Sequence, residues 1–249
     1  MWREENRVEN KIRGIFFDAG NTLLYPRVEE LARELTDAGF PATTADFHAS
    51  ERLAKRKFDD WLWPLLQSDE LPPAVDRLYW TEYLHALMER IRVPIDRHGA
   101  ISEQVIERFR DIRFWSRVFP DTEPVLQSLR DSGYYLGVIS NSVGTMEQQL
   151  NRVGLAPYFR TILDSAVVGV EKPHREIFRM AVDQAAISPA EALFIGDTYA
   201  TDIGGARKAG LQGVLIDRFG MYDDGIDSPR IRSLDGLGAL LAGGGNQAS

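Results

Sequence analysis

The sequence predicts an α/β protein in which a doubly wound parallel sheet carries an inserted bundle of four helices. Short apolar runs alternate with amphipathic segments after residue 119, which is the pattern of a parallel sheet covered by helices on both faces. One further strand-like run, GIFFDAG, comes near the start of the chain. Residues 27–114 lie between these regions and show helical spacing without a convincing strand, so we expect them to be inserted after the first strand.

The inserted region contains four amphipathic stripes. Apolar residues recur at intervals of three and four residues within each stripe, and Pro or Gly residues, including those at 39–41, 71–73 and 93–94, separate the stripes. The stripes cover residues 28–35, 47–65, 75–91 and 101–112. We expect Pro64 to disturb the second helix near its end. We also expect Trp61, Trp63 and Trp80 to pack in the core of the bundle.

The second half of the chain alternates strands with helices. Strands are predicted for YYLGVIS (134–140), TILDSAVVG (161–169), ALFIG (192–196) and GVLID (213–217). Segments between them, such as REIFRMAVDQAA, predict helices. The sequence thus predicts a core made of residues 1–24 and 115–242, a helical cap made of residues 25–114, and a disordered tail at 243–249.

Composition excludes several classes of function. The chain has 249 residues, a net charge of -8 and no cysteine. The negative charge argues against a nucleic-acid binder, and the lack of cysteine excludes disulfides, thiolate metal sites and cysteine nucleophiles. No apolar run approaches the roughly 18 residues of a membrane span. We therefore expect a cytoplasmic monomer or homodimer without nucleic-acid or membrane partners.

Polar side chains follow the ends of the predicted strands. In open parallel sheets, sites lie at the carboxyl ends of the strands, so we expect these side chains to converge. They are Asp18 at the end of GIFFD, Ser140 and Asn141 after YYLGVI, Lys172 in VEKP, Asp197 after ALFIG, and Asp202 close behind it.

This set of side chains suits phosphate chemistry. Three close carboxylates repel one another and need a cation, and hard oxygen ligands favour Mg2+. A metal and Lys172 together neutralise a bound phosphate, and the Ser140 hydroxyl can donate a hydrogen bond to it. Asp18 can then attack phosphorus and form an aspartyl intermediate.

The same segments resemble the four motifs of the haloacid dehalogenase superfamily, in that family's order. FFDAGNT, with Asp18 and Thr22, resembles the first motif, and VISNS, with Ser140, resembles the second. VEKP resembles the third motif and FIGDTYATDIGGARKAG the fourth. The resemblance covers the whole core, and the helical insertion lies where members of the family carry a four-helix cap.

The resemblance implies a role for each residue. Asp18 would be the nucleophile, and Mg2+ would be held by Asp18, by Asp197 and by the backbone carbonyl of Gly20. Asp202 would act through water or by orienting Lys172.

The phosphoryl group of a small phosphorylated substrate would be held by other members of the set. Ser140 and Lys172 would bind the transferring group itself. Asn141 and Thr22 are further candidates for substrate binding, and Asn141 would contribute its backbone N–H.

Gly20 departs from the family pattern. Family phosphatases usually have an aspartate at this position, which protonates the leaving oxygen and helps to activate water. Glycine keeps the backbone carbonyl for the metal but offers no proton donor. General acid–base catalysis contributes about 10^2- to 10^4-fold to a rate, so the sequence predicts weak activity or selectivity for good leaving groups, such as acyl and aryl phosphates.

Three alternatives stay open. A metal-independent 2-haloacid dehalogenase would lack the aspartate at position 20, but it would also lack the two acids that GDTYATD keeps. A phosphonate hydrolase would form an imine with a cap lysine. Lys55 and Lys57 lie in that region, although two lysines in a charged helix are typical of solvent-facing residues. The third alternative is a family member that binds phosphate or protein with little turnover.

His48, which could replace the missing acid, is interpreted as a surface residue.

Overall fold

The fold is that of a computed structural model, which describes residues 12–68, 75–223 and 225–243. The strands are β1 (Gly14–Phe17), β2 (Leu24–Tyr25), β3 (Arg117–Val118), β4 (Tyr135–Ser140), β5 (Thr161–Asp164), β6 (Ala192–Gly196), β7 (Gln212–Ile216) and β8 (Arg230–Ile231). Within the described residues, six of these strands form one sheet in the order β5-β4-β1-β6-β7-β8, and every pairing in it is parallel. The predicted α/β fold with a parallel sheet is confirmed. Strand β8 was not predicted, because two residues are too short to give a strand pattern.

Strand β1 lies at the centre of the sheet. Its side chains alternate between the two faces, since Ile15 and Phe17 belong to one hydrophobic cluster and Phe16 to the other. Phe17 pairs with Val138 on one side and with Ile195 on the other. The register therefore brings the ends of β1, β4 and β6 to one edge, where the order of the strands changes direction along the chain.

The helices cover both faces of this sheet and form the insertion. They are α1 (Val28–Asp37), α2 (Thr44–Ser68), α3 (Val75–Arg90), α4 (His98–Arg110), α5 (Thr122–Asp131), α6 (Met146–Arg152), α7 (Ser165–Val168), α8 (Arg175–Ala185), α9 (Gly205–Lys208) and α10 (Leu237–Gly243). Apolar residues of α5, α6 and α10 pack with Ile15, and those of α8 and α9 pack with Phe16. None of the described helices is long and apolar enough to cross a membrane.

Helices α1 to α4 lie between β2 and β3 and have a hydrophobic cluster of their own, to which Leu31, Phe47, Leu87 and Val105 belong. Strands β2 and β3 pair antiparallel, so the segments that lead into and out of the four helices lie side by side. The division into a core and a cap stays a prediction. Residues 1–11, the predicted break at 71–73 and residues 244–249 of the predicted tail lie outside the described residues.

Three local predictions need correction. The strand predicted at 161–169 ends at Asp164, because the Asp164 side chain accepts a hydrogen bond from the Ala166 N–H and caps the short helix α7. Helix α2 continues through Pro64 to Ser68. Trp61 is 39% exposed and therefore does not pack in the bundle core.

Candidate active site

Asp18 and Lys172 form the centre of the candidate site. The Asp18 N–H donates to the Ile195 carbonyl at 2.8 Å, which fixes the residue at the end of β1. Lys172 Nζ donates to Asp18 Oδ1 and to Asp202 Oδ1, both at 2.7 Å. The lysine is only 2% exposed, so its ammonium bridges two carboxylates away from bulk water.

Three carboxylates converge at this point. Asp18, Asp197 and Asp202 each offer an oxygen, and these oxygens lie within 4.8 Å of one another. The ammonium of Lys55 contacts Asp197, and that of Lys172 contacts Asp18 and Asp202. An all-oxygen donor set with a negative excess fits a hard divalent cation such as Mg2+.

The proton affinities reflect this crowding of charge. Burial raises the pKa of Asp18 to about 7, Lys172 acts against the rise, and Asp202 and Asp197 add to it. Burial also raises the pKa of Asp202, again opposed by Lys172. For Lys172, burial acts to lower the pKa, but the carboxylates of Asp18 and Asp202 outweigh it and raise the pKa. A bound cation would therefore favour the ionised form of Asp18.

Asp202 is fully engaged within the protein. It lies on a single π-helical turn, Tyr199–Gly204, and its Oδ2 accepts a hydrogen bond from the Thr198 N–H at 2.9 Å. A Cβ at Gly196 would lie 2.4 Å from Asp202 Cγ, so only glycine at 196 lets this carboxylate pack there. With Oδ1 on Lys172, both oxygens of Asp202 have partners within the protein, and its role in orienting that lysine stays a prediction.

Ser140 and Asn141 follow β4 beside the site. Ser140 is buried and lines the same cavity as Asp18. The Asn141 side chain donates to the Lys172 carbonyl at 3.0 Å and accepts from the Lys172 N–H at 2.8 Å. The Asn141 side chain therefore holds the Lys172 loop. This placement differs from the prediction that Asn141 binds substrate, as far as its side chain is concerned.

Thr22 is placed differently from the prediction that it binds substrate. Its side chain is fully buried, and it is not among the described residues that line the cavity. Its backbone carbonyl accepts hydrogen bonds from Arg218 Nε at 3.1 Å and Nη2 at 2.9 Å. Thr22 thus holds the loop after β1 in place.

Gly20 lines the cavity two residues after Asp18, and its backbone is outside the left-handed region. A Cβ at this position would lie 3.0 Å from Cζ3 and 3.2 Å from Cη2 of Trp115. Trp115 is held by a hydrogen bond from its Nε1 to the Phe109 carbonyl at 2.8 Å. An indole edge therefore occupies the space beside residue 20.

Lys55 is not solvent-facing, as was predicted for both cap lysines. The residue is only 3% exposed on α2, and its Nζ donates to Asp197 Oδ2 at 2.6 Å and to the Asp197 carbonyl at 3.0 Å. Glu51 Oε1 lies 3.3 Å from the same nitrogen. Burial acts to lower the pKa of Lys55, but Asp197 and Glu51 raise it well above its ordinary value. Lys57 is exposed and pairs with Glu82 at 3.1 Å.

Sequence reasoning missed Lys55 because its main partner is 142 residues away in the chain. The spacing of Glu51 and Lys55, four residues apart on one helix, was the only local signal. That spacing predicts an ion pair on the helix surface and gives no indication of burial. The contact with Asp197 instead brings α2 to the acidic cluster.

A cavity of about 780 Å3 joins this cluster to the inside of the helical insertion. His48 lines it, half-buried, with its ring 4.7 Å from that of Phe219, so His48 is not the surface residue that was predicted. The cavity opens directly onto Asp18 and Lys172. A molecule bound there can reach the candidate nucleophile.

Comparison with known proteins places this site among hydrolases. Residues 12–210 match the family model of the haloacid dehalogenase-like hydrolases. The chain is 32% identical over 135 residues to a glyceraldehyde 3-phosphate phosphatase of Methanopyrus kandleri, covering 53% of this chain and 58% of that protein. It is 35% identical to a phosphoserine phosphatase of Thermus thermophilus, covering 54% of each chain. The chain thus spans little more than half the length of these two relatives.

Solved structures share the fold. The putative HAD-hydrolase YfnB from Bacillus subtilis, bound to magnesium, has a TM-score of 0.64 at 23% identity, covering 94% of this chain and 100% of that one. A 2-haloacid dehalogenase from Pseudomonas syringae has a TM-score of 0.55 at 23% identity, covering 93% and 98%. At this level of identity the likeness describes the fold, which phosphatases and dehalogenases share.

Proposed function

The chain belongs to the haloacid dehalogenase-like hydrolases, and on that premise we propose that it is a Mg2+-dependent hydrolase of small phosphorylated metabolites acting through an aspartyl-phosphate on Asp18. The observation that carries the proposal is the contact of Asp18 with Lys172 at 2.7 Å, with the oxygens of Asp197 and Asp202 within 4.8 Å. Phosphatases among the relatives support a phosphate ester as the substrate class.

The proposed reaction has two steps. A carboxylate oxygen of Asp18 attacks phosphorus, and the bond from phosphorus to the leaving oxygen breaks with its electron pair on that oxygen. Water then attacks the phosphorus of the aspartyl-phosphate, the bond to Asp18 breaks with its electron pair on the carboxylate, and the phosphate leaves with the protons of that water, which exchange with solvent. Lys172 and Ser140 hold the phosphoryl oxygens in both steps.

Asp18, Asp197 and the Gly20 carbonyl would hold Mg2+ at this site. When bound, the ion supplies positive charge that neutralises the phosphate and the carboxylates. Asp202 keeps Lys172 aimed at Asp18, since both contacts are 2.7 Å long. Because residue 20 carries no acid, we propose that the enzyme prefers leaving groups that depart without protonation.

The test of this function is phosphate release from p-nitrophenyl phosphate and acetyl phosphate with Mg2+. We expect turnover in the wild type and only background release in Asp18→Asn, because the amide is not a nucleophile. Asp131→Asn is the control, since Asp131 is exposed at the end of α5 and is not among the residues that line the cavity. Turnover that persists in Asp18→Asn contradicts the proposal.

Two other outcomes would replace it. Halide release from 2-haloacids in the presence of EDTA would assign the site to a metal-independent dehalogenase. The glycine at position 20 favours this alternative, because such a dehalogenase lacks an aspartate there. Mg2+-dependent binding of phosphate without turnover of a broad panel would assign it to a binding protein. A cytoplasmic location and a monomeric or homodimeric state stay predictions.

A further inference from the structure

A set of aromatic rings, which we call the aromatic wall, lines the cavity on the side of the helical insertion. The wall consists of Phe58, Tyr79, Trp80, Tyr83, Phe109 and Trp115. Its rings are connected, with centroids 5.7 Å apart for Phe58 and Tyr79 and 5.0 Å apart for Trp80 and Phe109. The centroids of Phe109 and Trp115 lie 5.9 Å apart. Aromatic surface therefore runs from α2 to the segment before β3.

The wall is not simply the packed core of the helical insertion. Phe109 and Trp115 are only half-buried, although each lines the cavity. Aromatic surface left open inside a cavity is typical of a ligand site, in which a few polar groups fix the orientation of an apolar molecule. Here the cavity lining includes Asp18, Ser140 and Lys172 as polar groups, together with several charged side chains from the helical insertion.

The aromatic wall ends beside the nucleophile. The Trp115 ring edge lies where a side chain at residue 20 would begin, 3.0 Å from the ideal Cβ position. Residue 20 is two positions from Asp18, and Asp18, Gly20 and Trp115 all line the cavity. A group that leaves from phosphorus into the cavity would meet an aromatic ring here, where an acid stands in the family pattern.

We propose that the substrate is a phosphate monoester of an aromatic alcohol, a phenol or a hydroxylated heteroaromatic, with the aromatic part bound against Trp115 and the rest of the aromatic wall. This inference rests on the proposed function and names its substrate class. The missing acid and the aromatic wall both favour an aromatic leaving group. A phenol has a pKa of about 10, like tyrosine, and therefore departs as the oxyanion more easily than an alkyl alcohol.

The first experiment measures binding without chemistry. Phenylphosphonate and methylphosphonate carry the same anionic group, differ in the aromatic ring, and contain no ester bond. We expect calorimetry with Mg2+ to give phenylphosphonate a Kd about tenfold lower than that of methylphosphonate in the wild type. Trp115→Leu should remove most of this preference while methylphosphonate binding changes by less than about twofold.

Two further variants separate recognition from folding. Trp115→Phe should keep most of the preference, because it keeps a ring at this position. Trp61→Leu should keep all of it, since Trp61 is 39% exposed and is not among the described residues that line the cavity. Retained methylphosphonate binding in each variant reports an intact phosphate site.

A turnover experiment distinguishes the two levels of the proposal. Acetyl phosphate has a good leaving group without an aromatic ring, whereas p-nitrophenyl phosphate has both features. We expect Trp115→Leu to raise the KM for p-nitrophenyl phosphate about tenfold more than it raises the KM for acetyl phosphate.

The outcomes separate as follows. Equal binding of both phosphonates to the wild type, or equal losses for both substrates in Trp115→Leu, overturns the aromatic substrate class while acetyl phosphate turnover still supports the phosphatase. If no phosphate is released from either substrate and neither phosphonate binds with Mg2+, the proposed function fails and takes this inference with it.

Discussion

At the scale of single residues, Gly20 leaves the site without an acid, and the ring of Trp115 lies where the side chain of that acid would begin. The loss of an acid at position 20 is visible in the sequence, but its replacement is visible only in the fold. The indole edge lies 3.0 Å from where a Cβ would stand, a distance at which a neighbour must give way. Any attempt to restore the acid therefore also moves this ring.

Restoring the acid gives the first prediction at this scale. Gly20→Asp should raise kcat/KM for ethyl phosphate by about tenfold or more, because the alkoxide gains a proton donor, and should change the value for p-nitrophenyl phosphate much less. The double variant Gly20→Asp/Trp115→Ala should gain more on ethyl phosphate, since the smaller residue frees the space. Steady-state kinetics on both esters measures the difference.

Gly20→Ala is the matched control, because it adds the Cβ without the carboxylate. It should give no gain on ethyl phosphate. Equal gains on both esters in Gly20→Asp would mean that protonation of the leaving group is not what the native site lacks.

At the scale of elements, α2 connects the helical insertion to the fourth motif. Glu51, Lys55 and Asp59 recur every four residues and therefore share one face of the helix. Lys55 reaches the Asp197 carboxylate at 2.6 Å, and Asp59 Oδ1 accepts a hydrogen bond from the Ala200 N–H at 2.9 Å. One helix face thus presents three charged side chains to the candidate metal site and its surroundings.

Lys55 gives a prediction about the metal. Its ammonium pairs with a carboxylate oxygen of Asp197, a proposed ligand of the cation, so Lys55→Met should lower the Kd for Mg2+ about tenfold by removing a competing positive charge. Calorimetric titration of the protein with Mg2+ measures this. Lys57→Met, which removes an exposed lysine from the same helix, should leave the Kd within error. Weaker Mg2+ binding in Lys55→Met would mean that the lysine positions Asp197 for the metal.

Asp59 gives a prediction about pH. Burial raises the pKa of Asp59 to about 7, opposed by the hydrogen bond from the Ala200 N–H. The folded state then binds more protons than the unfolded state between about pH 4 and 7, so the unfolding free energy falls as pH rises through that range and levels off above it. Asp59→Asn removes this titration. Urea unfolding at about pH 5 and about pH 8 should show a smaller loss in the variant than in the wild type. An equal loss of unfolding free energy in the variant and the wild type would mean that Asp59 does not cause the pH dependence.

At the scale of the whole molecule, we expect cation binding and folding to be coupled. The chain has a net charge of -8, and the fold brings a carboxylate oxygen of Asp18 within 4.8 Å of those of Asp197 and Asp202, which are close to each other in the chain but distant from Asp18. The unfolded chain does not present that set of ligands. Any ion that binds the folded site therefore stabilises the fold by mass action.

Mg2+ should accordingly raise the unfolding midpoint. At 100 times its Kd the expected stabilisation is about 2.7 kcal/mol, measured by thermal denaturation at constant ionic strength and reversed by EDTA. Asp197→Asn should lose most of the shift, whereas Asp131→Asn should keep it. A shift of the same size in Asp197→Asn would place the ion elsewhere.

The sequence by itself determined the fold class and the set of polar residues at the ends of the strands. Both follow from local chemistry. Apolar runs and amphipathic periods define strands and helices, and parallel strands bring their carboxyl ends to one edge. Asp18, Ser140 and Asp197 were therefore predictable neighbours, and Lys172 joined them through its motif.

Only the tertiary structure decided which other side chains meet at that edge. Lys55 resembled a solvent-facing lysine, Trp115 had no signal of its own, and Asn141 resembled a substrate contact until its amide was found on the Lys172 backbone. Such contacts join segments that are far apart in the chain. The Lys55 contact depends on how the insertion packs over the sheet, and the Asn141 contact depends on how two loops of the core meet. The periodicity of one segment carries no information about either.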